Sequence, residues 1–292
     1  MAFDATTTTD EVLAGQDLTG QVIVVTGASG GLGLETARAL AAHGAEVVAA
    51  VRDQAKGRAA CETIGNGAGL VALDLTSLAS VRAAADDIRS RWSRVDVLVN
   101  NAGVMATPEE RTAEGFDLQL GVNHLAPFLL TALLVPVMPE GTRTVNVSSL
   151  GHMVSGMIWD DPHYRTREYN KWEAYGQSKS ASILFTLGLA AHGRTAYAVH
   201  PGMIGTDLFR YLPDEERAGL EGLARDTEGG DAKTVEQGAA TSVWAATAAG
   251  IPSGSYCADC AIGEALPHAT DPADVERLWA WSEEQVGQAF PA

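Results

Sequence analysis

The sequence is short of cations, cysteines and unbroken apolar runs, and each shortage removes a class of function. Only 20 Lys and Arg face 37 Asp and Glu, a formal net charge of −17. Such a surface repels polyanions, so neither nucleic acid nor an anionic membrane is an expected partner. The acidic residues are dispersed rather than blocked, which reads as a solvated face and not a tail. The chain has 3 cysteines. With no basic-then-apolar leader over residues 1–10, that predicts a reduced, cytoplasmic protein. No apolar run reaches the ~18 residues of a membrane helix. The nearest, Ala126–Met138, is interrupted by Pro127 and Pro136 and predicts a buried or interface helix. The 7 histidines show neither H-x-x-x-H nor H-E-x-x-H spacing, so no catalytic metal is expected. Cys257-Ala258-Asp259-Cys260 has no second cysteine pair or histidine cluster to make it a zinc or dithiol site. No repeat of solenoid period is present.

What the chain does hold is alternation. Its 292 residues, 46% hydrophobic, suit one large α/β domain, or at most two small ones. After a polar Thr-rich lead, in which Thr9 or Asp10 would cap a short helix, Gln21–Val25 is a β-branched run of the kind buried on both faces of a sheet. It passes through Thr26-Gly27-Ala28-Ser29-Gly30-Gly31-Leu32-Gly33 into a helical segment, Leu34–Ala42. In that strand–turn–helix context the glycines admit a pyrophosphate, and the helix N-terminus offers free N–H groups. Further strands are expected at 46–51, 70–73, 95–99, 144–147 and 195–199, with helices at 77–92, 115–135 and 235–249. The order predicts a doubly wound parallel sheet with helices on both faces and ligands at the strand C-termini. Arg52, Asp74, Asn101 and Ser149 all fall at such ends.

Arg52, with Lys56 one turn on, suits a 2′-phosphate where an acidic residue would suit ribose hydroxyls, so NADP(H) is expected; nearby Asp53 argues the other way. The bland alternative makes Arg52 and Lys56 the exposed start of a helix. Asp74 has two readings, an acceptor for the adenine amino group or a cap for the helix near Ser77. Tyr175 and Lys179, in Y-x-x-x-K spacing, share one helix face. A cation beside a tyrosine favours its phenolate, which would bring an acid/base group toward the range needed for carbonyl and alcohol chemistry.

Taken together, Thr26-Gly27-x-x-x-Gly31-x-Gly33, Asp74, Asn100-Asn101-Ala102-Gly103, Asn123, Ser149, Tyr175-x-x-x-Lys179 and Pro201-Gly202 resemble, in order, the short-chain dehydrogenase/reductase family. Asp17-Leu18-Thr19-Gly20, Val51-Arg52-Asp53, Val199-His200-Pro201-Gly202 and Glu236-Gln237-Gly238-Ala239 are similar to its retinol-dehydrogenase-like branch, which includes the oxidoreductase part of the WW-domain-containing oxidoreductase. The resemblance implies a single Rossmann domain over 18–292 behind an extension over 1–17. It makes Tyr175 the acid/base and has Lys179 hold the nicotinamide ribose and lower the Tyr175 pKa. Ser149 would bind the substrate oxygen and Asn123 position a relay water, unless Asn123 is a structural amide. The implied NADP(H) contacts are Gly27, Ser29, Gly31, Leu32, Gly33, Arg52, Asp74, Leu75, Asn101, Ala102, Gly103, Tyr175, Lys179, Pro201, Gly202, Ile204 and Thr206. A homodimer or homotetramer would form through the helices carrying Asn123 and Tyr175. The vertebrate retinol enzymes carry a membrane anchor that is not recognised here, so a retinoid substrate does not carry over.

Ser149 and Tyr175 lie 26 positions apart, and the loop between them, about 150–174, holds His152, Met157, Trp159, His163, Tyr164 and Trp172. It reads as a wall of an apolar substrate pocket, or as a loop packed onto the domain. Residues 203–233, with Leu208, Phe209, Leu212, Leu220 and Leu223, read as a substrate lid or an ordinary amphipathic helix. The expected activity interconverts a ketone or aldehyde with an alcohol on an apolar small molecule. Its alternatives are an oxidatively running secondary-alcohol dehydrogenase and a non-catalytic NADP(H)-binding regulator.

Overall fold

The computed structural model describes residues 3–204, 207–219 and 232–291. Short β-branched runs form its strands: β1 (Val22–Thr26), β2 (Glu46–Val51), β3 (Gly69–Ala72), β4 (Val97–Asn100), β5 (Arg143–Val147), β6 (Thr195–His200), β7 (Tyr256–Ala258) and β8 (Ala261–Ile262). They lie in one sheet of order β3-β2-β1-β4-β5-β6-β7-β8. All neighbours are parallel except β7 and β8. Every residue of β1 is buried. Val22 and Val24 enter one apolar layer and Ile23 and Val25 the other, the period of two that a sheet covered on both faces requires. The chain reverses its direction of travel across the sheet between β1 and β4, and the crevice this leaves at the strand C-termini is where a doubly wound sheet takes its ligand.

The helices start where their caps say. Asp53 caps α3 (Gln54–Ile64), Ser77 caps α4 (Leu78–Arg91) and Asn170 caps α7 (Lys171–Ala191), each through side-chain bonds to first-turn N–H groups. The N-terminal lead ends in α1 (Thr9–Leu13), whose capping residue is Thr8, in a capping box with Glu11, and not Thr9 or Asp10. Thr9, Val12 and Leu13 are buried, so this part of the extension is packed onto the domain. The helix expected over 115–135 is three pieces. Gly115 lies outside it at φ +84°. Asp117 caps α5 (Leu118–Leu120), a π-helical turn follows at Gly121–Leu125, and α6 (Ala126–Leu134) completes the run. Leu118–Val137 is long and apolar enough to cross a membrane, yet 78% of its window is buried inside the domain.

Helix α8 (Val235–Thr247) covers the sheet face that also carries α1 and α2 (Gly31–Ala42). On the other face, the C-terminal helix α9 (Pro272–Val286) lies over α6 and α7. Trp279 packs edge-on to Phe128 at 5.4 Å and beside Phe185 at 6.1 Å, and Ser282 Oγ bonds His124 Nε2 at 2.8 Å. Leu278 joins Leu120 and Leu184. The C-terminal helix therefore covers Phe128, Phe185 and His124 on the segments that the resemblance assigned to a subunit interface.

Candidate active site

One cavity of about 630 Å³ opens at the C-terminal ends of the strands. Its floor is the turn between β1 and α2. Gly27 takes φ +70°. A Cβ on Gly33 would stand 2.4 Å from Asn101 Nδ2 and 2.5 Å from the Gly27 carbonyl, which leaves no room for any side chain. Gly30 precedes α2 without a side-chain cap, so the first N–H groups of that helix have no side-chain acceptor and face the cavity. Thr26 ties the two halves of the sheet together here: its Oγ1 accepts from the N–H groups of Asn101 and Ala102 at 3.0 Å each, and Asn101 Nδ2 returns a bond to the Thr26 carbonyl. Asn101 thus fixes the turn with its side chain. The role of Thr26 depends on β4 lying beside β1, which the local sequence does not encode.

Arg52, Asp53 and Lys56 line the far end. The Asp53 carboxylate accepts from Ala55 N and Lys56 N. Those bonds, the Lys56 one foremost, hold it below the usual carboxylate range. Its Oδ1 is engaged as the cap of α3. Asp74 and Leu75 also line the cavity. Asp74 Oδ1 accepts from Thr76 N and Oγ1, so it closes an Asx turn while Ser77 caps α4; the capping alternative for Asp74 is overturned.

At the near end, Ser149, Tyr175 and Lys179 share the cavity wall. Ser148, one residue earlier, turns away and donates to the Lys179 carbonyl at 3.0 Å. Ser149 Oγ accepts from Gly151 N at 3.0 Å and interacts with the Tyr175 hydroxyl. Lys179 Nζ donates to the Val147 carbonyl at 2.9 Å and lies 5.7 Å from the centre of the Tyr175 ring. Burial dominates both groups. It pushes the Tyr175 phenol up to about 12, against a lowering by Ser149, and pulls Lys179 down to about 8. The opposing pull on Tyr175 comes from Ser149, not from the lysine expected to lower it.

Asn123 stands behind this wall and does not line it. Its Oδ1 accepts from Val104 N, and its Nδ2 donates to the Val104 carbonyl and to Ser178 Oγ, each at 2.9 Å. The side-chain amide is fully used in clamping the segment after Gly103 to α7. Pro201, Gly202, Met203 and Ile204 complete the lining, with Gly202 at φ +83°. Lys233 N bonds the Met203 carbonyl, and Lys233 pairs with Asp259. Thr206, and the part of the expected lid over 220–231 including Leu220 and Leu223, lie outside the described residues.

The long loop contributes Leu150, Gly151, Val154 and Trp172 to the cavity. Its other aromatics pack elsewhere. Trp159 Nε1 donates to Asp274 and its ring meets Trp281, while His163 packs beside Trp281. Of the two readings of this loop, packing onto the domain describes its middle and cavity wall describes its ends. Leu208 and Phe209 join Met105 and Trp172 at the apolar end. Cys257 and Cys260 are free, buried and pushed up, to about 12 and about 11, chiefly by desolvation. That suits inert thiols.

Residues 21–217 match the family described as short chain dehydrogenase. Human retinol dehydrogenase 12 is 40% identical over 283 residues, covering 92% of this chain and 87% of that protein. Among solved structures, an uncharacterized protein from Mycobacterium paratuberculosis superposes with a TM-score of 0.81 at 35% identity, covering 100% of both chains. The angucycline C-6 ketoreductase LanV with bound NADP superposes with a TM-score of 0.64 at 30% identity, covering 84% of this chain and 95% of that one. With its doubly wound sheet and glycine turn, this chain belongs to the short-chain dehydrogenase family, on the branch that resembles the retinol dehydrogenases.

Proposed function

We propose that this chain is an NADP(H)-dependent oxidoreductase that interconverts a ketone or aldehyde with an alcohol on an apolar small molecule. The observation that carries the reading is a shared cavity: Ser149, Tyr175 and Lys179 line the same space as the glycine turn and Arg52. The residues fit the cofactor. The glycine turn, with Gly27 at a left-handed φ and the uncapped start of α2 on the cavity wall, suits a pyrophosphate, and Arg52 and Lys56 at the far end suit a 2′-phosphate. The NADP bound by LanV supports the same choice. When bound, the cofactor supplies or accepts a hydride at its nicotinamide.

The chain's own groups handle the oxygen. Ser149 donates to the substrate oxygen and steadies it as negative charge develops. Tyr175 is kept protonated by burial, so it gives its phenolic proton to that oxygen, which favours the reducing direction. Lys179 holds the Val147 carbonyl at the base of the site and places a cation beside the phenol as the tyrosine loses its proton. Met105, Trp172, Leu208 and Phe209 exclude water and favour an apolar substrate. Free cysteines suit a cytoplasmic setting.

Oxidation of NADPH, against NADH, over a panel of aromatic, alicyclic and polycyclic ketones tests the proposal. The expected result is turnover with NADPH that Tyr175→Phe abolishes while NADPH binding survives. A preference for NADH would remove the role given to Arg52. Tight NADPH binding with no turnover of carbonyls or alcohols would make the chain a cofactor-binding regulator instead.

A further inference from the structure

We infer that His152 is a positioning residue for Ser149. The inference rests on the oxidoreductase reading only for the role of Ser149.

Ser149 opens a 3-10 turn, Leu150–Met153. Its hydroxyl accepts from Gly151 N, and its carbonyl accepts from His152 twice over, from the backbone N–H at 3.2 Å and from ring Nδ1 at 2.7 Å. A carbonyl only accepts, so Nδ1 carries a proton. The opposite nitrogen, Nε2, faces the N–H of Leu266 at 3.3 Å. A backbone N–H only donates, so Nε2 carries a lone pair. The two bonds together fix one neutral tautomer, since either alternative sets a donor against a donor or an acceptor against an acceptor.

The turn is held from two further sides. Ser180 Oγ, one residue past Lys179, donates to the Ser155 carbonyl at 2.7 Å, just beyond the turn, and His268 Nε2 donates to the His152 carbonyl at 2.8 Å. The ring is buried, with Tyr256 at 5.3 Å and His268 at 6.5 Å between centroids, and His200 also near. Desolvation first, then His268 and His200, lower its pKa, which keeps the neutral form in place at neutral pH. His152 therefore supports the backbone of Ser149 on one edge and is anchored by Leu266 on the other.

The two bonds separate by mutation. Asn at 152 places an N–H near the position of Nδ1 and keeps the bond to Ser149. Gln places its polar end near Nε2, keeps an acceptor for Leu266 and loses the bond to Ser149. Ketone turnover, NADPH affinity and Tm are measured for His152→Asn, His152→Gln and His152→Phe. The expected pattern is a kcat reduced about tenfold or more in the Gln and Phe proteins, largely restored in the Asn protein, with the Kd for NADPH unchanged in all three. Equal loss in the Asn and Phe proteins, tracking Tm, would reduce His152 to a structural anchor and overturn the inference. So would undiminished kcat in the Gln protein. The 15N shifts of the His152 ring in the folded wild-type protein give a readout independent of turnover. A protonated Nδ1 with a bare Nε2 is expected, and the opposite tautomer overturns the inference whether or not a substrate is known.

Discussion

At the scale of single residues, burial favours the neutral form of both Tyr175 and Lys179. Lys179 carries the clearest pH signature. Its folded pKa is about 8 against an ordinary 10.5, so between these values the unfolded chain binds more protons than the folded one, and stability rises with pH. Below pH 8 the full penalty of a buried ammonium is present, and by pH 10.5 it is relieved. In denaturant unfolding of the cofactor-free protein, wild type should gain on Lys179→Met as pH rises from 8 to 10.5. An unchanged difference would mean that the ammonium is better solvated than its burial indicates. Arg52 belongs to the same scale. A charge-assisted bond to a phosphate contributes about 1.5–3 kcal/mol. Arg52→Ala is therefore expected to weaken NADPH about tenfold or more and to leave NADH nearly unaffected, measured by fluorescence titration of each.

At the scale of elements, the entry to α5 offers a test. Asp117 caps that helix through Leu120 N at 2.8 Å, yet burial pushes its carboxyl up to about 6 against lowering contacts from Leu120 and Arg111. The folded chain holds its proton more tightly than the unfolded one, so stability falls as pH rises from about 4 to 6, and the penalty is complete above that. Asn keeps the cap without the charge. Asp117→Asn should raise Tm at pH 7.5 and raise it less at pH 5.

The elements also divide into those the sequence announces and those it does not. The parallel strands were legible because strands buried on both faces must be β-branched and continuous, as in Ile23–Val25 and Val47–Val48. The glycine turn was legible because its chemistry is local. The π-helical turn was not: Gly121-Val122-Asn123-His124-Leu125 reads as ordinary helix, and its Asn123 bonds Val104 on a separate segment. The loop aromatics were equally silent, since whether Trp159 faces a cavity or a helix depends on α9, more than a hundred residues downstream. For the same reason His152 read as a pocket-wall residue; its partner Leu266 is joined to it only by the fold.

At the scale of the whole molecule, α9 covers part of the surface that the resemblance gives to a subunit interface. It lays Leu278, Trp279 and Ser282 over α6, α7 and the π-helical turn. The intact chain is expected to sediment as a monomer with respect to this surface. A chain ending at Thr270 should expose Phe128 and Phe185, bind apolar dyes and associate. A dimer of the intact chain that survives charge substitution along α6 would place the interface elsewhere.

The strand order also sets a timetable for synthesis. The glycine turn, Arg52, Asp74 and the Asn101 segment follow the C-terminal ends of strands β1 to β4, and β1 finds its second neighbour only when β4 has emerged. Ser149, Tyr175 and Lys179 follow, and the Leu266 contact that anchors His152 comes close to the end. A growing chain thus completes the nucleotide cradle well before its reactive groups are braced. A ribosome-bound intermediate of about two-thirds length would be a nucleotide binder in waiting, with the chemistry withheld until the last few dozen residues are released.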